Sequence, residues 1–174
     1  MSILYPEATP VQGNTKIQVV ASIASLAAPS LATEINAGGS LDISCFVRDW
    51  NPELNSNQGN APARLCTTVQ LPVEGNTQFS PIEIRYVYDP QAATSTDDNK
   101  ARLLLTKGSE FYFVIRKGLD AQATDWAATQ YAEVWKVRCG RQNYVRSGED
   151  EFSEYEISQQ IFPLTEPTFA QIAA

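Results

Sequence analysis

Residues 82–88 read IEIRYVY, and this stretch decides the fold. Ile82, Ile84, Tyr86 and Tyr88 fall on one side of an extended chain, opposite Glu83 and Arg85. A period of two is that of a strand with one face buried. The same period recurs on either side. In LDISCFV (41–47) the shared face is Leu41, Ile43, Cys45 and Val47; in RLCTTVQL (64–71) it is Leu65, Thr67, Val69 and Leu71. In EFYFVIRK (110–117) it is Phe111, Phe113 and Ile115, and in YAEVWKVRC (131–139) it is Tyr131, Trp135, Val137 and Cys139. EYEISQQI (154–161) contributes Tyr155, Ile157 and Ile161, and KIQVV (16–20) is a shorter candidate. These segments predict a mainly β chain, an antiparallel β-sandwich or barrel of about seven or more strands.

One segment departs from the period. TSTDDNKARLLLTKG (94–108) offers Ser95 or Thr96 as N-cap and Asp97 and Asp98 in a first turn. Lys107 follows near the end, with Gly108 just beyond. This predicts one short flanking α-helix over roughly 97–106, packing Leu103 and Leu104 on a sheet face. Three stretches read as connections: an N-terminal arm (1–15), a long loop NPELNSNQGNAP (51–62) and a Pro-punctuated C-terminal arm (163–174). Loops as long as 51–62 are uncommon inside a compact domain and usually functional or disordered. The 174 residues make a single domain with a real core.

Composition removes whole classes of chemistry. There is no histidine, which excludes Ser-His-Asp and Cys-His catalysis and the commonest transition-metal ligand. Cys45, Cys66 and Cys139 are scattered and odd in number, which argues against a disulfide framework and a zinc site and places them as small apolar core residues. The net charge of −7 is the wrong sign for a general nucleic-acid binder. No apolar run approaches the roughly 20 residues of a membrane span, so no membrane insertion is expected. MSILYPEATP has neither a basic start nor a long apolar stretch, which argues against a secretory signal.

The most acidic stretch is EDEFSEYE (149–156). It lacks the glycine and the ligand spacing of an EF-hand calcium loop. Paired carboxylates for glycoside hydrolysis are defined by separation in space, so this run carries no such signal. Trp50 and Trp126 could stack on sugars, which makes a carbohydrate-binding sandwich module the alternative reading; packing in a core or interface is the commoner fate of a Trp. A hairpin between the strands at 131–139 and 154–161 would set Val137 near Ile157 and Arg138 against Glu156, with Lys136 diagonal to Glu154 and Glu156. The basic residues from Lys136 to Arg146, with Tyr144 among them, are flanked by these acids, which argues against a DNA-binding patch.

With the strands placed, the chain resembles a known group. YPEATPVQGNTKIQVV (5–20), PSLATEINAGGSLDISCFVRDWNP (29–52) and NQGNAPARLC (57–66) carry the resemblance. FSPIEIRYVYDPQ (79–91), DDNKARLLL (97–105), FVIRKGLDAQ (113–122) and AEVWKVRCGRQNYVRSGEDEFSEYEI (132–157) extend it in order over nearly the whole chain. It is similar to the major tail tube proteins of long-tailed, non-contractile bacteriophages of actinobacterial hosts. The resemblance implies a virion structural protein without catalysis or cofactor. Copies would form rings, usually hexameric, that stack into a tube for DNA ejection. The partners implied are other copies of itself, a tape-measure protein and tail-tip or terminator proteins, with DNA only as passing cargo. Assembly in the host cytoplasm and residence in the virion tail follow from it. The polar faces of two strands are candidates for lining the channel: Asp42 and Ser44, or Glu154 and Glu156. The loop residues Asn51, Glu53, Leu54, Asn57 and Gln58 are candidates for contacts between subunits.

Overall fold

A computed structural model of the chain describes residues 9–52, 54–60, 72–92, 97–148 and 153–174, with 54–60 and 72–78 described by backbone alone. The strands are β1 (Thr15–Val20), β2 (Leu41–Asp42), β3 (Val47–Asp49), β4 (Leu54–Asn60), β5 (Pro72–Phe79), β6 (Ile82–Val87), β7 (Glu110–Lys117), β8 (Tyr131–Arg146), β9 (Tyr155–Pro163) and β10 (Thr168–Gln171). Eight of them form one antiparallel sheet in the order β2-β1-β7-β8-β9-β6-β3, with β10 paired to β8 off that path. The sheet curls into a half-barrel. The mainly β architecture predicted from the period of two is the one observed.

The curl encloses the larger of two cores. Ile17, Val19, Ile84, Tyr86, Phe113, Ile115, Trp135, Val137, Ile157 and Ile161 meet on the concave side. A short helical segment lies over it, a 3₁₀ turn at Asp97–Asn99 running into α1 (Lys100–Leu104). Ala101 and, just past its end, Leu105 are its buried apolar residues, Asn99 is buried with them and Leu104 packs partly; Leu103, expected to face the sheet, is 44% exposed. The helix is shorter than predicted, so its inward face falls on 101 and 105. Ser95 and Thr96 lie outside the described residues. A second core covers the convex side at β1, β7 and the start of β8. There Val20, Val114, Ala132 and Val134 meet Ile35 of a π-helical turn (Leu31–Ile35), Trp126 and Ile172. Phe113–Arg116 are therefore buried four in a row, where one covered face would leave alternate residues exposed.

Several expectations need correction. The predicted strand 41–47 is broken by a turn at Ser44–Phe46. Ile43 is buried while Cys45 is exposed, so Cys45 is not a core residue, whereas Cys139 is buried and Cys66 lies outside the described residues. The long loop 51–62 contains a strand: β4 pairs antiparallel with β5, from Leu54 opposite Phe79 to Asn60 opposite Pro72. LNSNQGN has no apolar alternation to announce it. The predicted strand at 64–71 and Glu53 lie outside the described residues. Part of the C-terminal arm is ordered as β10, with Ala170 opposite Ala132 of β8.

The largest correction concerns the β8–β9 register. Cys139, expected to close its strand, lies mid-strand, because β8 continues to Arg146. Val137 lies opposite Pro163 and Arg138 opposite Phe162, while Glu156 lies opposite Val145. The cause is the length of β8, which runs to Arg146 before the chain turns back; a bulge between Cys139 and Gln142 shifts the pairing by one residue more. Gly140 occupies it because a Cβ there would stand 2.5 Å from the Gln160 carbonyl oxygen. Beyond the bulge the inward side chain is Gln142, whose Nε2 donates to the Arg102 carbonyl (2.8 Å) and lies 3.0 Å from both the Leu105 carbonyl and the Tyr86 hydroxyl. Gln159 donates to the Leu105 and Gly140 carbonyls (2.8 and 2.9 Å) and accepts from the Tyr86 hydroxyl (3.0 Å). These two glutamines satisfy the last carbonyls of α1, so the polar groups are buried with partners. Burial pushes the Tyr86 hydroxyl pKa well above its ordinary value, against the opposing pull of the Gln142 hydrogen bond.

Candidate functional site

The convex face changes character along the sheet. Past Ala132 and Val134 the same face of β8 carries Lys136 and Arg138, beside Glu110 and Tyr112 of β7. It continues through Ser158, Gln160 and Phe162 of β9 to Glu83 and Arg85 of β6. No described element covers this half.

Its charges are matched in pairs. Arg138 donates to Glu110 (2.5 Å), and Arg85 to Glu83 (2.8 Å). The Ser158 hydroxyl also donates to Glu83 (3.0 Å). The Arg138 hydrogen bond holds the Glu110 carboxyl below its usual pKa, and the Arg85 bond, then the Ser158 bond, do so for Glu83. Lys136 lies over the Tyr112 ring, 5.9 Å from its centroid. At the far corner Arg48 reaches from β3 across the sheet end to Glu154 and Glu156. The partner of Glu156 is therefore Arg48, not the expected Arg138, because β8 runs on to Arg146 before the chain turns back, which sets Arg138 opposite Phe162.

The four candidate lining residues are split between two places. Glu156 is 1% exposed beneath Arg48, and Glu154 is exposed. Asp42 accepts from the Ser44 hydroxyl (2.5 Å) and lies 3.5 Å from Lys16, while the Ser44 hydroxyl accepts from the Ile17 backbone (2.8 Å). Asp42 and Ser44 thus staple the edge of β2 to β1 and are not brought together with Glu154 and Glu156. Sequence reading missed Glu83, Arg85 and Glu110 as members of a polar face. The signal was their position opposite Ile82, Ile84 and Phe111.

The inter-subunit candidates Leu54, Asn57 and Gln58 lie on β4, with Asn57 at its bulge, and Asn51 precedes it as an exposed residue. The β4–β5 hairpin forms its own two-stranded sheet, joined to no other described strand. The two tryptophans are committed elsewhere. Trp50 packs on Phe113 and Trp135, with centroids 5.6 and 5.8 Å apart. Trp126 is buried under Arg116 (5.2 Å). Neither presents an open ring to a sugar. Among the described residues no cluster of three His, Cys, Asp or Glu could hold a metal ion, and no helix is long and apolar enough to cross a membrane.

Arg116 is the one charged side chain buried without a carboxylate at ion-pair distance among the described residues. It donates to the carbonyls of Asp120, Thr124 and Asp125 (2.8 Å each) and to Gln130 Oε1 (3.2 Å). Burial lowers its pKa, yet a guanidinium stays charged. It fixes the 118–130 loop, which hands on to β10 through Thr129 and Gln130 bonded to Ile172 (2.9 Å each).

Compared with known families, residues 3–173 match the model of the phage tail tube protein family. The match spans nearly the whole chain, and the chain belongs to that family. No curated protein matches it.

Proposed function

We propose that this member of the phage tail tube family is the repeating subunit of a tube of the long-tailed, non-contractile type. Copies close into rings, hexameric as the resemblance implies, and the rings stack around a channel through which DNA leaves the particle. The role is structural and non-catalytic. The observation that carries this reading is the family match over residues 3–173. Tape-measure and tail-tip or terminator proteins are its further partners.

The uncovered half of the convex face is our choice for the channel lining. It is broad, polar and nearly balanced in charge. Affinity for DNA comes mainly from cations that displace the counterions of phosphate. Here Arg85, Arg138 and Arg48 each hold a carboxylate, so few are left to do so. Duplex DNA carries one charge per about 1.7 Å, so even a weak attraction per subunit would sum to a brake. Matched pairs avoid that brake. This replaces Glu154 and Glu156 as the principal lining residues with Glu83 and Glu110 and their arginines. The β4–β5 hairpin is the arm between subunits, because a hairpin alone is marginal in water and gains from a partner.

Electron microscopy of the purified protein tests the assembly. Rings or tubes with a central channel are expected; a monodisperse monomer at high concentration would refute it. In particles, Glu83→Lys with Glu110→Lys should release both arginines, leaving tubes intact but DNA ejection slowed. Ejection at the wild-type rate would remove the lining assignment.

A further inference from the structure

The half-barrel sheet has three open edges among the described residues: β2, β3 and the outward side of β10. Open edges invite pairing, and proteins blunt them with short strands, charges and bulges. β2 is two residues long and ends in the ion-paired Asp42. β3 is three residues long, carries Arg48 and Asp49, and shifts register between Val47 and Asp49. β10 is four residues long, and just past its end the outward side is taken where Ala173 bonds to Pro29 and Leu31 (2.9 and 3.0 Å), but the strand itself has neither charge nor bulge. Thr168-Phe169-Ala170-Gln171 is uncharged and pairs with β8 in unbroken register.

Its outward groups can be assigned. The Ile172 N–H bonds to the Gln130 carbonyl, so in this register the even residues Ala170 and Thr168 bond to β8. Phe169 and Gln171 therefore turn their N–H and C=O groups away from the sheet. The Phe169 ring, 71% exposed, stacks on Tyr131, 56% exposed, with centroids 5.5 Å apart and planes inclined by 7°. An open edge and an exposed stacked pair of aromatics coincide.

We infer that this edge, with Phe169 and Tyr131, receives the β4–β5 hairpin of a second copy by strand addition. The inference rests on the assembly reading above and deepens it by naming the receiving surface. Two features single out the hairpin. It is the other strand pair with unused edges, since neither β4 nor β5 joins another described strand. It also suits the charge: each copy carries −7, so copies must meet where acids are absent or neutralised. β10 has no charge, β4 has none and β5 has only Glu74. The nearby Glu133 is held by Lys117 (2.6 Å). Strand addition takes its affinity from the backbone and its specificity from side-chain contacts such as Phe169 and Tyr131 would provide.

Two measurements on the full chain test this. Gln171→Pro removes an outward N–H while sparing the bonds to β8. Its monomer should melt within a few degrees of wild type, while the concentration needed for assembly rises at least about tenfold. Assembly at the wild-type concentration would overturn the inference. Independently, a photo-cross-linking amino acid at position 169, in an equal mixture of light- and heavy-nitrogen chains, should give mixed adducts to peptides within 54–79. Adducts to β10 of another copy, to any other segment, or only within one chain would overturn it. If wild type forms no assembly at all, the failure belongs to the tube reading; if it assembles and the adducts lie elsewhere, only the edge assignment fails.

Discussion

The two ends of the convex face form a natural comparison. At β1, β7 and the start of β8 the sheet is covered on both sides, and β7 buries four consecutive residues, ending in Arg116. At β6, β9 and the rest of β8 the convex side is open, and Glu83 and Arg85 alternate with the buried Ile82, Ile84 and Tyr86. The covered end is held by packing and by Arg116 threading a loop. The open end is held by the concave core alone, and its convex charges cancel in pairs.

This contrast makes graded predictions. Arg116→Ala at the covered end strands several buried acceptors, each worth roughly 1–3 kcal/mol, so a loss of at least about 3 kcal/mol is expected in chemical denaturation. Arg85→Ala at the open end should change stability by no more than about 0.5 kcal/mol. Equal effects would break the comparison. Arg48→Ala lies between: it leaves Glu156 buried without its cation, and a loss of about 2–4 kcal/mol is expected. Glu156→Gln in that background should recover part of it. At the open end, a double-mutant cycle on Glu110 and Arg138 should give only a weak coupling that shrinks further at high salt. A cycle on Arg138 and Glu156 should give none.

The Cys139 thiol adds a dependence on pH. Burial pushes its pKa up to about 12 from an ordinary 9.0. The folded state keeps this proton while the unfolded chain loses it, so the contribution is complete below pH 9 and is lost progressively toward pH 12. Stability measured across that window should fall, and the fall should shrink in Cys139→Ala. In the folded protein at neutral pH, alkylation should mark the exposed Cys45 and spare Cys139.

Much of the fold was legible because burial on one face writes itself as alternation. Ile82–Val87 could be read that way, whereas in β7 the alternation of Phe111, Phe113 and Ile115 showed one of two covered faces. What escaped did so for identifiable reasons. β4 is built from Asn, Ser, Gln and Gly, and the Cys45 position was read through a turn that breaks its strand. β8 runs on from Cys139 to Arg146 before the chain turns, which carries Glu156 up to Val145 and leaves Arg138 beside Glu110 and Phe162. The bulge is a backbone event marked by a single glycine, Gly140, and no alternation announced that Gln142 and Gln159 close the end of α1. The polar face was half visible: Glu83 and Arg85 could be placed opposite an apolar row, but their neighbours across β8 depended on the register.

Cryo-electron microscopy of the assembled protein tests the central claim most directly. A reconstruction should show a tube whose lumen is lined by the open convex face, with Glu83–Arg85 and Glu110–Arg138 facing the channel and the covered end turned outward. A tube lined by the face of β2, with Asp42 and Ser44 toward the lumen, would contradict the account, as would a protein that remains a monomer.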